Sequence, residues 1–333
     1  MPSQLRSILS NHITRSLIGL TLGMVFLYLA IREIDLTKLD LSSIELDWWH
    51  IIAALAIYSI ELLIRALRWK LLVDRIQVLS MRSITGALVV GYAFNNILPA
   101  RLGEVMRADF LGSRHKLPRM SLLATIVLER TLDGVVVVGA LFLGMALWHP
   151  APVLITAGLI GITLFGVISI MIYIIAHEKS EKLPHLIRFS PFIEKHFTSF
   201  RNGLTEINLA QVTLQLLPLT IAAWALQSIA LYYFIEMAGM ELSIEQMLVL
   251  LGIISLSTLI PTAPGFIGTY QYAYVLVAGL FGYTAINGVV AATLVQIFMM
   301  GYVTIGGLLL YFLLGTALRR HHDDEQPINS FQE

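Results

Sequence analysis

Two long apolar stretches of this chain are interrupted in the same way. The first runs from Gly91 through Asn95, Asn96, Leu98, Pro99 and Arg101 to Gly103 and Glu104. The second runs from Gly252 through Ser255, Ser257, Thr258, Ile260, Pro261 and Pro264 to Gly265 and Phe266. Each reads as an apolar run, then small or polar residues, then aliphatic-Pro-x-x-x-Gly. Proline removes a backbone donor and breaks a helix. Backbone freed at membrane depth survives only inside protein or beside a water-filled cavity. A matched pair of broken apolar segments in two halves of a chain therefore points to a transporter's substrate site.

The membrane setting rests on composition. Hydrophobic residues make up 57% of the chain and charged residues 13%, with mean hydropathy +0.77. Soluble domains carry about 25% charged residues. The expected fold class is all-α, a polytopic integral membrane protein of about six spans plus two Pro/Gly-broken re-entrant hairpins. There is no cysteine, which removes disulfides, thiol catalysis and Cys-based metal sites. The histidines never fall at close metal-ligand spacing apart from His321-His322. No metal, cofactor or nucleic acid is expected, and any chemistry takes place at or in the membrane.

A span needs about 20 apolar residues. Such runs lie near 16–32, 48–72, 120–148, 151–176, 211–238 and 284–315. The broken stretches occupy 83–112 and 245–282, each read as a hairpin entering and leaving by one side. The alternative is that both breaks are ordinary loops between simple spans. Residues 16–32 can also be read as a signal-peptide core, but the exit from Leu27 to Arg32 lacks a clean small-x-small cleavage site. Gly19 and Gly23 form a GxxxG pair there, a possible packing face.

Lys and Arg set the orientation. With both termini cytoplasmic, inner region 65–119 holds ten Lys/Arg, and the inner loop 177–209 holds Lys179, Lys182, Arg188, Lys195 and Arg201. The outer region 236–245 has Glu236, Glu241 and Glu245 with no Lys or Arg. The expected location is a bacterial cytoplasmic (inner) membrane. In this reading the unit span–hairpin–span occurs at 48–148 and again, inverted, at 211–315, within one transmembrane domain that ends in a polar tail at 316–333. Inverted repeats permit alternating access around a midplane site. The loop 177–209 mixes apolar and basic residues. It reads either as an interfacial amphipathic helix touching anionic headgroups or as a loop packed on the protein's own inner face.

Charges inside a membrane are rare and usually functional. Glu61, Arg65 and Arg68 share one helical face at i, i+4, i+7. Arg101, Glu104, Arg107 and Asp109 follow the first break, and Glu129, Arg130 and Asp133 sit on the next span. Arg101 and Arg107 can grip a lipid phosphate through forked hydrogen bonds, and the acids can hold those arginines or carry protons. The competing reading is a self-satisfied ion-pair network that only pins the hairpin. The second unit offers uncharged polar residues, among them Ser255, Thr258, Thr269, Gln271 and Gln296. The residues expected to bind substrate are Arg65, Asn96, Arg101, Glu104, Arg107, Glu129, Arg130, Asp133, Pro261, Gly265, Thr269 and Gln271.

Four strings carry a family resemblance: Arg65 to Trp69, Asn96 to Arg107 with its Leu-Pro-Ala-Arg-Leu-Gly-Glu core, Glu129-Arg130 to Asp133, and Pro261 to Gly265. Over about residues 15–315 the chain resembles the lysylphosphatidylglycerol synthase transmembrane, or flippase-like domain, family, known best from the N-terminal half of the multiple peptide resistance factor. The resemblance implies lipid translocation between leaflets, with aminoacylated phosphatidylglycerol or an isoprenoid-linked lipid as cargo. The chain departs from the pattern in lacking a C-terminal synthase domain, so synthesis of the lipid is not expected of it. Expected partners are membrane lipids, anionic or phosphate-bearing, with a homo-oligomer or a separate lipid-modifying enzyme as further possibilities. Two alternatives stay open: a membrane-embedded transferase acting on a polyprenyl-phosphate lipid, and an accessory subunit of a separate synthase.

Overall fold

A computed structural model of the chain describes residues 12–32, 46–149, 151–177, 191–205, 209–260 and 262–324. The described residues are helical, as the apolar runs require. Helix α1 spans His12–Ile31, α2 Trp48–Val73, α5 Arg119–Leu147, α6 Pro152–His177 and α8 Leu209–Met237. Helix α11, Ala285–Val295, continues through a π-turn at Gln296–Met300 into α12, Gly301–Asp324. Each of the six predicted spans is a helix. Four helical stretches are long and apolar enough to cross a bilayer: Trp48–Val73, Pro152–His177, Val212–Met237 and Ala285–Leu313. The protein is a multi-pass membrane protein. Helix α12 runs on to Asp324, past the predicted end at 315. Hydropathy locates the end of the apolar run, and a helix continues beyond it when charged residues follow without a breaker.

The broken stretches are short helices. Helix α3 (Met81–Ile97) and α4 (Gly103–His115) flank a 3₁₀ turn at Pro99–Arg101. Helix α9 (Ile244–Ser257) and α10 (Thr269–Leu280) flank a 3₁₀ turn at Pro264–Phe266, and Pro261 lies outside the described residues. The 13 residues of α4 rise only about 20 Å, and α9 and α10 are of similar length. None of these three reaches across a hydrocarbon core of about 30 Å. The legs of the first pair pack closely at Gly103, where any side chain would overlap the Gly91 carbonyl oxygen and the Asn95 backbone. The starts of α3 and α9 are fixed by caps. Ser80 accepts from the Ser83 N–H, and Ser243 forms a capping box with Gln246.

Helix α2 pairs with α8, α3 with α12, and α9 with α5. All three pairs are antiparallel. His50 meets Glu236 while Arg68 meets Thr220; Asn96 meets Thr304 while Ala93 meets Gly307; Leu141 meets Gly252 while Gly144 meets Glu245. If α2, α3 and α5 are matched with α8, α9 and α12, the second and third pairs exchange and the first maps onto itself. Helix α1 packs on α10, with Gly23 against Ala263 and the Ile267 carbonyl. Helix α7 (Pro191–Thr205) covers one end of α5 and α6. Pro191 opens that helix, where a missing N–H costs nothing.

Candidate functional site

The charges of α2, α4 and α5 meet in one buried network. Arg68 is its hub, fully enclosed, donating to Asp133 Oδ1 at 2.5 Å, Asp133 Oδ2 at 3.0 Å, Glu129 Oε1 at 2.8 Å and Thr220 Oγ1 at 3.0 Å. Arg65 pairs with Glu61 one turn earlier, donates to Gln227 Oε1 at 2.8 Å and stacks over Trp224 at 4.6 Å. Arg107 donates to Glu129 Oε2 at 2.9 Å and lies 3.6 Å from the Trp69 ring centroid. Arg130 reaches Glu104, Glu129 and Asp133 within 3.4 Å and donates to the Tyr92 hydroxyl at 3.1 Å. Trp224 Nε1 donates to Asp133 Oδ1 at 3.0 Å. A buried ion needs a partner and further hydrogen bonds to offset desolvation of several kcal/mol, and this network supplies both.

Arg101 differs. Among the described residues it makes no ion pair. It donates to the Thr258 carbonyl at 3.2 Å and to the Thr258 hydroxyl, so the first break holds the end of α9. Its Nη1 makes no hydrogen bond among the described residues. The cluster carries Arg65, Arg68, Arg101, Arg107 and Arg130 against Glu61, Glu104, Glu129 and Asp133, leaving one cation in excess. Arg101 is also strained, at φ 55, a region costly for a side chain with a Cβ. Phe266, in the second break, has φ 57, and its ring lies 6.0 Å from the Arg101 guanidinium.

Three adjoining cavities of about 190, 130 and 160 Å³ share Arg101 and Thr258. Their polar lining includes Asn96, Glu104, Arg130, Asp133, Gln227 and Tyr270, and Phe165, Ile254, Leu259 and Met300 are apolar neighbours. The π-turn fastens both breaks to this place. Asn96 donates to the Met300 carbonyl at 3.2 Å and to Thr304 at 2.9 Å. Gln296 donates to the Gly265 carbonyl at 2.8 Å and accepts from Gln271 at 2.5 Å. A π-turn shifts the i→i−4 ladder, and such turns occur often at functional sites.

The predicted site residues therefore separate. Asn96, Arg101, Glu104, Arg130 and Asp133 line the cavities. Arg65, Arg107 and Glu129 lie behind them as enclosed members of the network. Gly265, Thr269 and Gln271 hold the second break: Gly265 has φ 70, Thr269 bonds Thr262 at 3.0 Å, and Gln271 accepts from the Gly268 N–H at 2.8 Å. Pro261 lies outside the described residues. On the α9–α10 side the cavity wall is Ser255, Thr258, Phe266 and Tyr270. Sequence reasoning placed Arg68 on one face with Glu61 and Arg65 but not in the expected substrate-binding set, and it left out Trp224 and Gln227. A signal was available: Thr220, Trp224 and Gln227 repeat the i, i+4, i+7 spacing of Glu61, Arg65 and Arg68 in the middle of a largely apolar helix.

Comparison with known proteins finds relatives that are membrane proteins. A UPF0104 membrane protein of Methanothermobacter thermautotrophicus is 23% identical, over 83% of this chain and 88% of the relative. A UPF0104 membrane protein of Methanocaldococcus jannaschii is 26% identical over 56% of this chain and 79% of its own length. No solved structure matches significantly. Residues 16–307 match the family described as the lysylphosphatidylglycerol synthase transmembrane region. Both breaks and every charged member of the buried network fall inside that match, and the chain belongs to this family.

Proposed function

We propose that this protein moves a phosphate-bearing lipid between the leaflets of the membrane. One observation carries the reading: a buried network whose other arginines are paired leaves the Arg101 guanidinium facing a cavity at the meeting of two broken helices. A phosphate there supplies the missing anion and takes the free Nη1 hydrogens. The aromatic and aliphatic wall accepts the glycerol or isoprenoid end of the same molecule. In this reading the substrate-binding residues are Asn96, Arg101, Glu104, Arg130 and Asp133. Arg65, Arg107 and Glu129 position them, and the second break, through Gly265, Thr269 and Gln271, frames the other side.

The short lengths of α4, α9 and α10 support re-entrant hairpins. The antiparallel α2–α8 pair and the exchange of the α3–α12 and α9–α5 pairs support two inverted units at 48–148 and 211–315. Such units open a shared site to one side and then the other. The basic residues at the inner ends support cytoplasmic termini in a cell's inner membrane. Translocation makes and breaks no covalent bond, so the protein acts as a transporter and not as an enzyme.

The test is reconstitution. Protein in liposomes carrying a headgroup-labelled anionic phospholipid is expected to expose inner-leaflet label to an impermeant quencher. A charge-assisted hydrogen bond contributes about 1.5–3 kcal/mol. Arg101→Gln is therefore expected to slow exposure about 10-fold or more while the protein stays folded. Unchanged exposure in folded Arg101→Gln protein sinks the assignment.

A further inference from the structure

A second cavity system lies away from Arg101, where α7 rests on the turn between α4 and α5. One cavity of about 650 Å³ is lined by Asp109, Lys116, Arg119 and Lys195 together with Val105 and Leu123. A neighbour of about 560 Å³ is lined by Arg75, Lys195 and Asn202. The two share Pro118, Lys195 and Ser199. The cleft is built into the fold, because α7 is docked. Ser121 Oγ donates to the Ser199 carbonyl at 2.7 Å, and a side chain at Gly203 would press on the Ser121 backbone at 2.7 Å.

Charge and shape together identify the ligand class. Arg119 pairs with Asp109 at 2.6 Å. Arg75, Lys116 and Lys195 make no ion pair among the described residues, and all three are exposed. Four cations, Arg75, Lys116, Arg119 and Lys195, face one acid, Asp109, so the cleft carries three positive charges in excess. A soluble anion has no use for the apolar floor, yet Val105 is 48% exposed beside these cations. A lipid uses both parts: phosphate against the lysines, glycerol and first acyl carbons against Val105 and Leu123.

We propose that this cleft is a second lipid site, holding an anionic phospholipid by its headgroup and preferring one with two or more negative charges. It shares no lining residue with the Arg101 cavities and does not depend on the transport reading. Each basic residue near an anionic lipid surface contributes about fivefold to binding. The test uses the full chain in phosphatidylcholine nanodiscs doped with cardiolipin, with retained cardiolipin counted by native mass spectrometry. Wild type is expected to retain cardiolipin over phosphatidylglycerol. K116Q/K195Q is expected to bind it about 30-fold more weakly. K116R/K195R, which keeps the charge, is expected to bind as wild type does and controls for folding. Pyrophosphate at millimolar concentration is expected to leave the lipid in place. Equal retention by wild type and K116Q/K195Q overturns the site. Displacement by pyrophosphate overturns the lipid assignment and makes the cleft a free-phosphate site. Neither result touches Arg101-dependent movement of lipid, which reads a different cavity.

Discussion

Arginines that are alike in sequence have opposite roles here. Arg107 is 1% exposed, salt-bridged to Glu129 and stacked on Trp69, whereas Arg101 faces a cavity with one arm free. Removing Arg107 takes the donor from Glu129 Oε2, and a buried acceptor left unpaired costs about 1–3 kcal/mol, more when it is charged. Arg107→Ala is thus expected to lower the detergent melting temperature sharply, while Arg101→Gln leaves it close to wild type. Equal melting temperatures for the two variants would contradict the division. Arg68→Met is expected to be worse still, since it takes the shared donor from Asp133 and Glu129 together and leaves them only their contacts with Arg65, Arg107, Arg130 and Trp224. A size-exclusion profile dominated by aggregate is the expected readout. The sequence marks all of these positions as charges that a bilayer penalises. It does not say which charges meet, because pairing depends on contacts between helices far apart in the chain.

At the scale of elements, the π-turn couples the two breaks. Gln296 satisfies the Gly265 carbonyl and also accepts from Gln271. Gln296→Leu leaves the buried Gln271 donor and the half-buried Gly265 carbonyl without partners, and a lost partner costs about 1–3 kcal/mol where the group is buried. Its expected signature is faster hydrogen exchange confined to 262–271. Unchanged exchange there would show that the second break is held by other contacts. Helix α2 offers a pH test outside the membrane. Asp47 caps it by accepting from the Trp49 N–H at 2.8 Å, and this bond, with His50 beside it, holds the carboxyl below its ordinary pKa. A lowered folded pKa gives stability that is complete above the unfolded value of about 3.9 and is lost as pH falls through the folded one. Exchange at the Trp49 amide, corrected for intrinsic rate, is expected to rise only below that range in wild type and at every pH in Asp47→Ala. The breaks at Pro99 and Pro264 were legible because proline's effect is local. The π-turn was not, since nothing in Gln296–Met300 differs locally from an ordinary apolar helix.

For the whole molecule, the side from which each proposed hairpin enters is the decisive quantity. The chain has no cysteine, so single cysteines can be placed cleanly. With inverted units, an impermeant thiol reagent added outside is expected to label a cysteine near Gly282 and spare one near Arg114. Equal labelling at both positions would remove the inverted arrangement and with it the basis for alternating access.

The sequence by itself determined the all-helical membrane class, the six long helices, the two breaks and the list of charges that had to be satisfied. These follow from hydropathy, helix length and proline, which act within one segment. Tertiary structure alone decided that Arg68 is the hub, that Arg65, Arg107 and Glu129 are enclosed, and that Arg101 keeps an arm free. It also decided that Thr258 and Tyr270, with Trp224 and Gln227 from α8, complete the wall. Those outcomes depend on which helix faces which, and in an apolar chain many faces are equally greasy. The choice falls to a few close approaches at small residues, such as Gly103 on Gly91, and to the need of each buried ion for a partner.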